Sequence, residues 1–244
     1  MAYRLSAYAD LLHALREKGY HLGPVSAYYQ GAAPPFVFLR HDLDRFASRA
    51  VHMAAAERDL GVKSTYYFRC NARARFPEED IRFVTDLGHE IGFHYETVDR
   101  LEGRADEVPD RFRLELAALR AIADVATATA CGTPLSQLPA VHFAKSLDLR
   151  ELGLMGDPAV DIDFSKVLYI TDTGGTFGSR ANLRDRSAGK NLRERTPPAK
   201  LAQTLNPRLE PLVVLNTHPH RWPLGVAGLL LVRLADLFVN LLAR

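Results

Sequence analysis

The chain of 244 residues combines a substantial apolar fraction with nearly balanced charge. Apolar residues make up 47% of the sequence and charged residues 25%, which is ordinary for a globular protein with a sizeable core. The formal net charge is only +2, from 31 basic and 29 acidic residues. Nucleic-acid-binding proteins usually carry a basic excess. We therefore expect a single domain over residues 1–244 and no nucleic-acid partner.

Cysteine content and the amino-terminal residues bear on the compartment. The two cysteines, Cys70 and Cys131, lie far apart in the sequence, which fits a reducing compartment better than a disulfide-stapled secreted framework. Residues 1–19 mix apolar with charged residues, unlike the unbroken apolar region of a signal peptide. Together these features predict a cytoplasmic protein.

Short apolar runs alternate with segments of helical periodicity along most of the chain. The run at 36–39 is fully apolar and follows two prolines, which is typical of a buried strand in a parallel sheet. The alternation predicts an α/β fold with a parallel sheet, either open or closed as a barrel. The predicted helices are 6–18, 48–60, 77–87 and 110–125, and the predicted strands are 36–39, 64–69, 90–94, 167–171 and 212–216.

The carboxyl-terminal residues form a strongly apolar segment. Its main polar interruptions between 224 and 242 are Arg233, Asp236 and Asn240. The segment has about the length needed to cross a bilayer, but each charge near its middle opposes insertion by roughly 2.5–3.5 kcal/mol. We expect an apolar helix at about 224–243 that closes the core. The alternative is an interfacial helix that gives weak association with a membrane surface.

Three ligand-type side chains, His41, Asp42 and Asp44, follow the first long apolar strand. Two carboxylates and an imidazole leaving a buried strand are costly to desolvate unless they serve a function or bind a cation. Carboxylate oxygen and imidazole nitrogen are ordinary zinc ligands. The alternative is that Asp44 only caps the helix that follows.

Two further histidines stand at the ends of predicted strands. His94 ends one strand, and His218 follows the last one. The carboxyl ends of parallel strands form the edge of the sheet where α/β proteins bind ligands, so we expect both histidines near Asp42 and Asp44. His218 is placed to act as an acid or a base. The alternatives are a structural histidine at 94 and a surface loop with incidental histidines after 217.

Five segments of the chain form a set of motifs: RHDLD at 40–44, GHEIGFHYE at 88–96, GTPLS at 132–136, YITDTG at 169–174 and HPHRW at 218–222. In this order they resemble the NodB-type polysaccharide deacetylases (carbohydrate esterase family 4), and more closely a bacterial branch of deacetylase-like proteins. The resemblance implies a distorted parallel (β/α) barrel. It also implies a metal-dependent amide hydrolase that removes an acyl group, such as acetyl, from an N-acylated amino sugar or glycan precursor, with Zn²⁺ as the expected metal.

The resemblance also implies roles for individual residues. Asp42 corresponds to the general base, Asp44 and His94 to metal ligands, and His218 to the general acid. Chemically, a metal polarises the acyl carbonyl and lowers the pKa of its bound water. A carboxylate then takes the water's proton, and an imidazolium protonates the leaving amine.

The chain departs from the family pattern at several positions. The second metal-binding histidine of the wider family corresponds to Val98 here, so Glu96, in preference to Asp99, is a candidate third ligand. Cys131 stands where a histidine is usual. Cysteine binds zinc well, which makes Cys131 a second candidate, although the substitution is equally compatible with lost activity. Because Leu43 separates the two aspartates, their roles as base and ligand are exchangeable.

Four residues are expected to contact substrate: Arg40, Tyr95, Asp172 and Trp222. For Asp172 the alternatives are orienting a catalytic residue or forming a plain turn, and for Trp222 a place in the core. Two other functions remain open at this point. One is a glycan-binding relative without catalysis, and the other is a hydrolase of a different linear or cyclic amide on the same scaffold.

Overall fold

The structure, a computed structural model, describes residues 3–71, 73–96, 107–131, 147–179, 185, 189–192 and 194–225. The described part contains a seven-stranded sheet, and all the strand ladders in it are parallel. The strands are β1 His21–Gly23, β2 Phe36–Asp42, β3 Thr65–Phe68, β4 Glu90–Tyr95, β5 Val125–Ala130, β6 Leu168–Thr171 and β7 Leu212–Thr217.

The strand order is β5-β4-β3-β2-β7-β6, and β1 pairs with the amino-terminal half of β2. β2 lies at the centre, with β3 on one side and β7 on the other. The predicted α/β fold with a parallel sheet is therefore confirmed. Among the described residues no ladder joins β5 to β6, so the sheet is open as far as the structure describes it.

Helices alternate with the strands as the sequence predicts. They are α1 Leu5–Glu17, α2 Ser26–Tyr29, α3 Arg49–Asp59, α4 Glu78–Asp86, α5 Val108–Arg120, α6 Pro158–Asp161 and α7 Pro198–Thr204, with a 3₁₀ turn at Pro219–Arg221. α3 begins at Arg49 with Ser48 at the N-cap position. Asp44 therefore does not cap this helix, and that alternative is wrong.

The predicted helix at 110–125 is wrong at its carboxyl-terminal end. α5 stops at Arg120, and Val125 opens a strand that the sequence did not predict. In this strand Thr127 and Ala128 pair with Gly92 and Phe93 of β4. Tertiary pairing thus overrides the helical preference that the alanines give to this segment.

The two faces of β2 have different partners. Val37 and Leu39 belong to the main apolar core under α1 and α3, whereas Phe38 belongs to a second, smaller cluster. Successive side chains of a strand alternate between faces, so Arg40 and Asp42 lie on the face of Phe38. A buried ion pair therefore occupies the face opposite the helices α1 and α3.

Some predictions fall on residues outside the described ranges. The apolar carboxyl-terminal helix lies there almost entirely, as do Val98 and the segment 132–136. Within the described ranges, no helix has the length and apolar character needed to cross a membrane.

Candidate functional site

The carboxyl ends of β2, β4 and β5 bring together Asp44, His94 and Cys131. One potential ligand atom of each residue lies within 4.8 Å of those of the other two. Oδ1 of Asp44 is 3.5 Å from Nε2 of His94 and 3.8 Å from Sγ of Cys131. An oxygen, a nitrogen and a sulfur donor thus converge at one edge of the sheet, from the ends of the adjacent strands β4 and β5 and from β2, which lies beyond β3.

This triad is buried on one side and open on the other. His94 is 3% exposed and Cys131 is 4% exposed, whereas the side chain of Asp44 is 37% exposed. The backbone N–H of Cys131 donates to the carbonyl of Tyr95 at 2.8 Å, which fixes Cys131 beside β4. A small molecule would therefore reach the triad from the side of Asp44.

His218 approaches the other oxygen of the same carboxylate. Its Nε2 is 3.5 Å from Oδ2 of Asp44, and its Nδ1 is 2.6 Å from Oδ1 of Asp172. Asp172 follows β6, is fully buried and also accepts the backbone N–H of His218 at 3.1 Å. The imidazole is therefore held between a buried carboxylate and the triad.

Asp42 is held by a buried cation. Nε and Nη2 of Arg40 donate to its two oxygens at 2.7 and 2.8 Å, and Nδ2 of Asn216 donates to Oδ2 at 2.9 Å. Burial raises the pKa of Asp42, but the Arg40 guanidinium, together with His94 and His218, outweighs burial and lowers this pKa to about 2. This carboxylate is consequently ionised at neutral pH and fixed in orientation.

The charges of the other groups depend on one another. Burial alone would lower the pKa of His218, but Asp172 and then Asp44 raise this pKa to about 9. Burial also opposes the charge of His94, yet Cys131 and Asp42 hold its pKa well above the usual value. Partial desolvation raises the pKa of Asp44, but the hydrogen bond from His94 and the charge of His218 keep it below its usual range. Without a cation, the two histidines supply the positive charge around these carboxylates.

The two candidates for a third ligand are placed differently. Cys131 belongs to the triad. Glu96 instead forms an ion pair with the guanidinium of Arg69, which also donates to the backbone carbonyl of Asp44. Arg69 therefore links Glu96 to the strand end that carries Asp44, and Glu96 lies outside the triad.

The predicted substrate contacts are largely occupied by protein groups. Arg40 holds Asp42, and the hydroxyl of Tyr95, a 2% exposed residue, donates to Asp157 at 3.0 Å. Trp222 is 3% exposed, packs among core aromatic rings and donates from Nε1 to Asp172 at 2.8 Å. The polar groups of these side chains thus have protein partners, and their contact with substrate stays a prediction.

Sequence reasoning did not identify Glu57, the centre of a second buried cluster. This glutamate is fully buried on α3. One signal was available, because Glu57 continues the helical spacing of the buried residues Ala50, Met53 and Ala54. Its carboxylate lies within 2.5 to 2.8 Å of polar side-chain atoms of Tyr8, His41, Ser64 and Tyr66.

Comparison of the chain with protein-family models and with curated proteins gives no match. The resemblance to NodB-type deacetylases therefore rests on the five sequence segments. Chemically, the arrangement offers three metal-type donors, an ionised carboxylate held by arginine, and an imidazole backed by a buried carboxylate. These are the groups that metal-assisted hydrolysis of an amide uses.

Proposed function

We propose that the protein is a zinc-dependent amide hydrolase that removes an acyl group, such as acetyl, from an N-acylated amino sugar or glycan precursor. The observation that carries this proposal is the convergence of Asp44, His94 and Cys131, with His218 on the second oxygen of Asp44. The five sequence segments support the class of substrate.

The donor set fits zinc. Carboxylate oxygen, imidazole nitrogen and thiolate sulfur all bind Zn²⁺, and catalytic zinc sites typically use three protein ligands and one open position. A thiolate disfavours magnesium and calcium, which prefer oxygen ligands. The nitrogen of His94 that faces Asp44 is Nε2, 3.5 Å from Oδ1 of that carboxylate, so Nε2 is the atom that would bind the ion.

When bound, zinc would polarise the acyl carbonyl and lower the pKa of a water molecule. Asp42, ionised and fixed by Arg40, accepts the proton of the attacking water. His218 donates a proton from Nε2 to the leaving amine, which would otherwise depart as a poor anion. Asp172 anchors Nδ1 and so keeps Nε2 directed towards the reacting groups.

We further propose that the sheet is the described part of a distorted parallel (β/α) barrel. Side chains of non-adjacent strands meet on one face, which favours a sheet curved towards that face. The hydroxyl of Tyr67 on β3 contacts Thr127 on β5 at 2.7 Å, across β4.

Metal content and acetate release test the proposal together. We expect the purified full chain to hold zinc and to release acetate from N,N′-diacetylchitobiose. Asp44→Ala should lose both properties. His218→Gln should keep zinc and lose about 100-fold or more in kcat, because it removes the proton donor alone. Asp59→Ala, on the exposed face of α3, serves as the control and should match the wild type.

Each failure has a distinct meaning. Zinc content that is unchanged in Asp44→Ala contradicts the metal centre. A zinc-loaded wild type that binds the disaccharide without releasing acetate supports the glycan-binding alternative. Release of a ring-opened acid from another amide supports a different hydrolase.

A further inference from the structure

Phe46 is an exposed aromatic residue close to the candidate zinc ligands. It is 69% exposed, whereas most large apolar side chains in the described part of the chain are buried. It lies two residues after Asp44, in the loop between β2 and α3. Consecutive Cα atoms are about 3.8 Å apart, so the Cα atoms of Phe46 and Asp44 are separated by at most about 8 Å.

The backbone of Phe46 is also unusual, because its φ angle is +52°. A bulky residue in the left-handed region is a genuine outlier, since glycine, asparagine and aspartate adopt this conformation at lower cost. Such outliers concentrate at functional sites. The ring gains little from burial, so packing in the core does not account for a phenylalanine here.

The loop around Phe46 is anchored at both ends. Arg69 donates to the backbone carbonyl of Asp44 on one side. On the other side, the backbone N–H of Arg49 donates to the carbonyl of Phe46 at 2.8 Å. The phenyl ring is therefore attached to a backbone of defined position, next to the ligand that is also the exposed member of the triad.

We propose that Phe46 contacts the substrate and selects amides carried on a ring with an apolar face, such as the pyranose of an amino sugar. This inference rests on the proposed function. Aromatic side chains commonly line ligand sites, and covering one ring face with another removes apolar area from water. An acyl group on a linear chain offers no such face and gains little from Phe46.

Equilibrium binding tests the inference on the zinc-loaded full chain that carries His218→Gln, because this parent keeps zinc and turns over the disaccharide about 100-fold more slowly or less. We expect Phe46→Asn in this parent to raise the calorimetric Kd of N,N′-diacetylchitobiose about 10-fold, and Phe46→Tyr to stay within about twofold of the parent. Asparagine is chosen because it tolerates a positive φ, so the variant should unfold no more easily than the wild type. Phe83→Ala is the matched control. It removes another exposed aromatic ring, on α4, and should leave the Kd unchanged.

A substrate without a ring separates direct contact from an indirect effect. Phe46→Asn should leave kcat/KM for acetate release from N-acetylethanolamine unchanged, and its zinc content should equal that of the wild type. An unchanged disaccharide Kd in Phe46→Asn overturns the inference and leaves the zinc centre standing. A fall in kcat/KM for N-acetylethanolamine as large as the rise in the disaccharide Kd also overturns the inference, and so does loss of zinc. In either case Phe46 acts through Asp44. A zinc-loaded wild type that neither binds nor cleaves the disaccharide overturns both the substrate class and this inference.

Discussion

Oδ1 of Asp172 lies 2.6 Å from Nδ1 of His218. The other oxygen of this carboxylate accepts the backbone N–H of His218 at 3.1 Å and the indole N–H of Trp222 at 2.8 Å. Because both oxygens have partners, the carboxylate has little freedom to rotate. The proton on His218 Nδ1 is thereby fixed, and Nε2 is left facing Asp44.

The first prediction concerns this pair. Asp172→Asn should lower kcat for acetate release about 100-fold or more, since the amide can present an N–H to Nδ1 and favour the wrong tautomer. Zinc content should not change, because Asp172 is outside the triad. Steady-state kinetics and elemental analysis of the same sample measure the two effects. Asp163→Asn, at an exposed position, is the control. Parallel loss of zinc and kcat would show that Asp172 supports the metal centre instead.

The second prediction concerns the thiol ligand. Cobalt-loaded wild type should show a thiolate-to-metal charge-transfer band in the near ultraviolet, and Cys131→Ser should lack it. Zinc affinity of Cys131→Ser should fall at least about 10-fold, since even residues that merely support a ligand have effects of this size. Cys70→Ser is the matched control, because Cys70 is the other buried cysteine. A band that persists in Cys131→Ser would exclude Cys131 as a ligand.

The buried cluster around Glu57 provides a prediction about stability. Burial opposes its charge, but His41, with help from His89 and Ser64, lowers the pKa of Glu57 from 4.5 to about 2. Burial also lowers the pKa of His89 below its usual value of 6.5. Both shifts make the unfolded chain bind more protons than the folded chain, so stability rises with pH. The contribution of Glu57 is complete above pH 4.5 and is lost as the pH falls towards 2.

We therefore expect Glu57→Gln to lower the free energy of unfolding by about 3–5 kcal/mol at pH 7, because it removes the carboxylate from the buried pair of Glu57 and His41. The difference from the wild type should narrow as the pH is lowered below 4.5. Urea unfolding at several pH values measures it. Glu78→Gln, in an exposed pair with Arg82, should change the free energy of unfolding by less than about 0.5 kcal/mol. A difference independent of pH would mean that Glu57 is protonated in the folded protein.

The sequence was most informative where local patterns decide the structure. The apolar run before Arg40 could be assigned to a parallel strand, because a strand buried on both faces needs apolar residues throughout. The carboxyl ends of parallel strands share one edge, which was enough to predict that Asp44, His94 and His218 lie near one another. β5 could not be found in this way. Alanine and threonine alternate at 126–130, but alanine favours helices and is depleted in strands, so pairing with β4 decides the outcome.

Side-chain partners were harder to predict than strand positions. The segments 40–44, 169–174 and 218–222 did not by themselves indicate that Arg40 binds Asp42. Nor did they indicate that Trp222 donates to Asp172 from within the core. These contacts depend on which face of a strand a residue occupies and on what packs against it. Phe46 offered no periodic signal either, since its relevance comes from exposure and a positive φ.

The last prediction concerns the close approach of Tyr67 to Gly92. A Cβ atom on Gly92 would lie 2.4 Å from two carbons of the Tyr67 ring. That ring is fully buried, its hydroxyl contacts Thr127 at 2.7 Å, and the guanidinium carbon of Arg40 lies 5.1 Å from its centroid. Because residue 92 is glycine, the Tyr67 ring can pass over β4 to reach Thr127 on β5, while Arg40 on β2 contacts the same ring.

Gly92→Ala should lower the free energy of unfolding by about 1–3 kcal/mol, the usual cost of overpacking a core. Gly225→Ala is the control, since a Cβ atom there meets nothing within 4 Å. Denaturant unfolding of Gly92→Ala, Tyr67→Leu and the double variant locates the cause. Neighbours that clash are not additive, so the double variant should be destabilised by less than the sum of the single changes. Simple additivity would mean that Tyr67 is not what excludes a side chain at position 92.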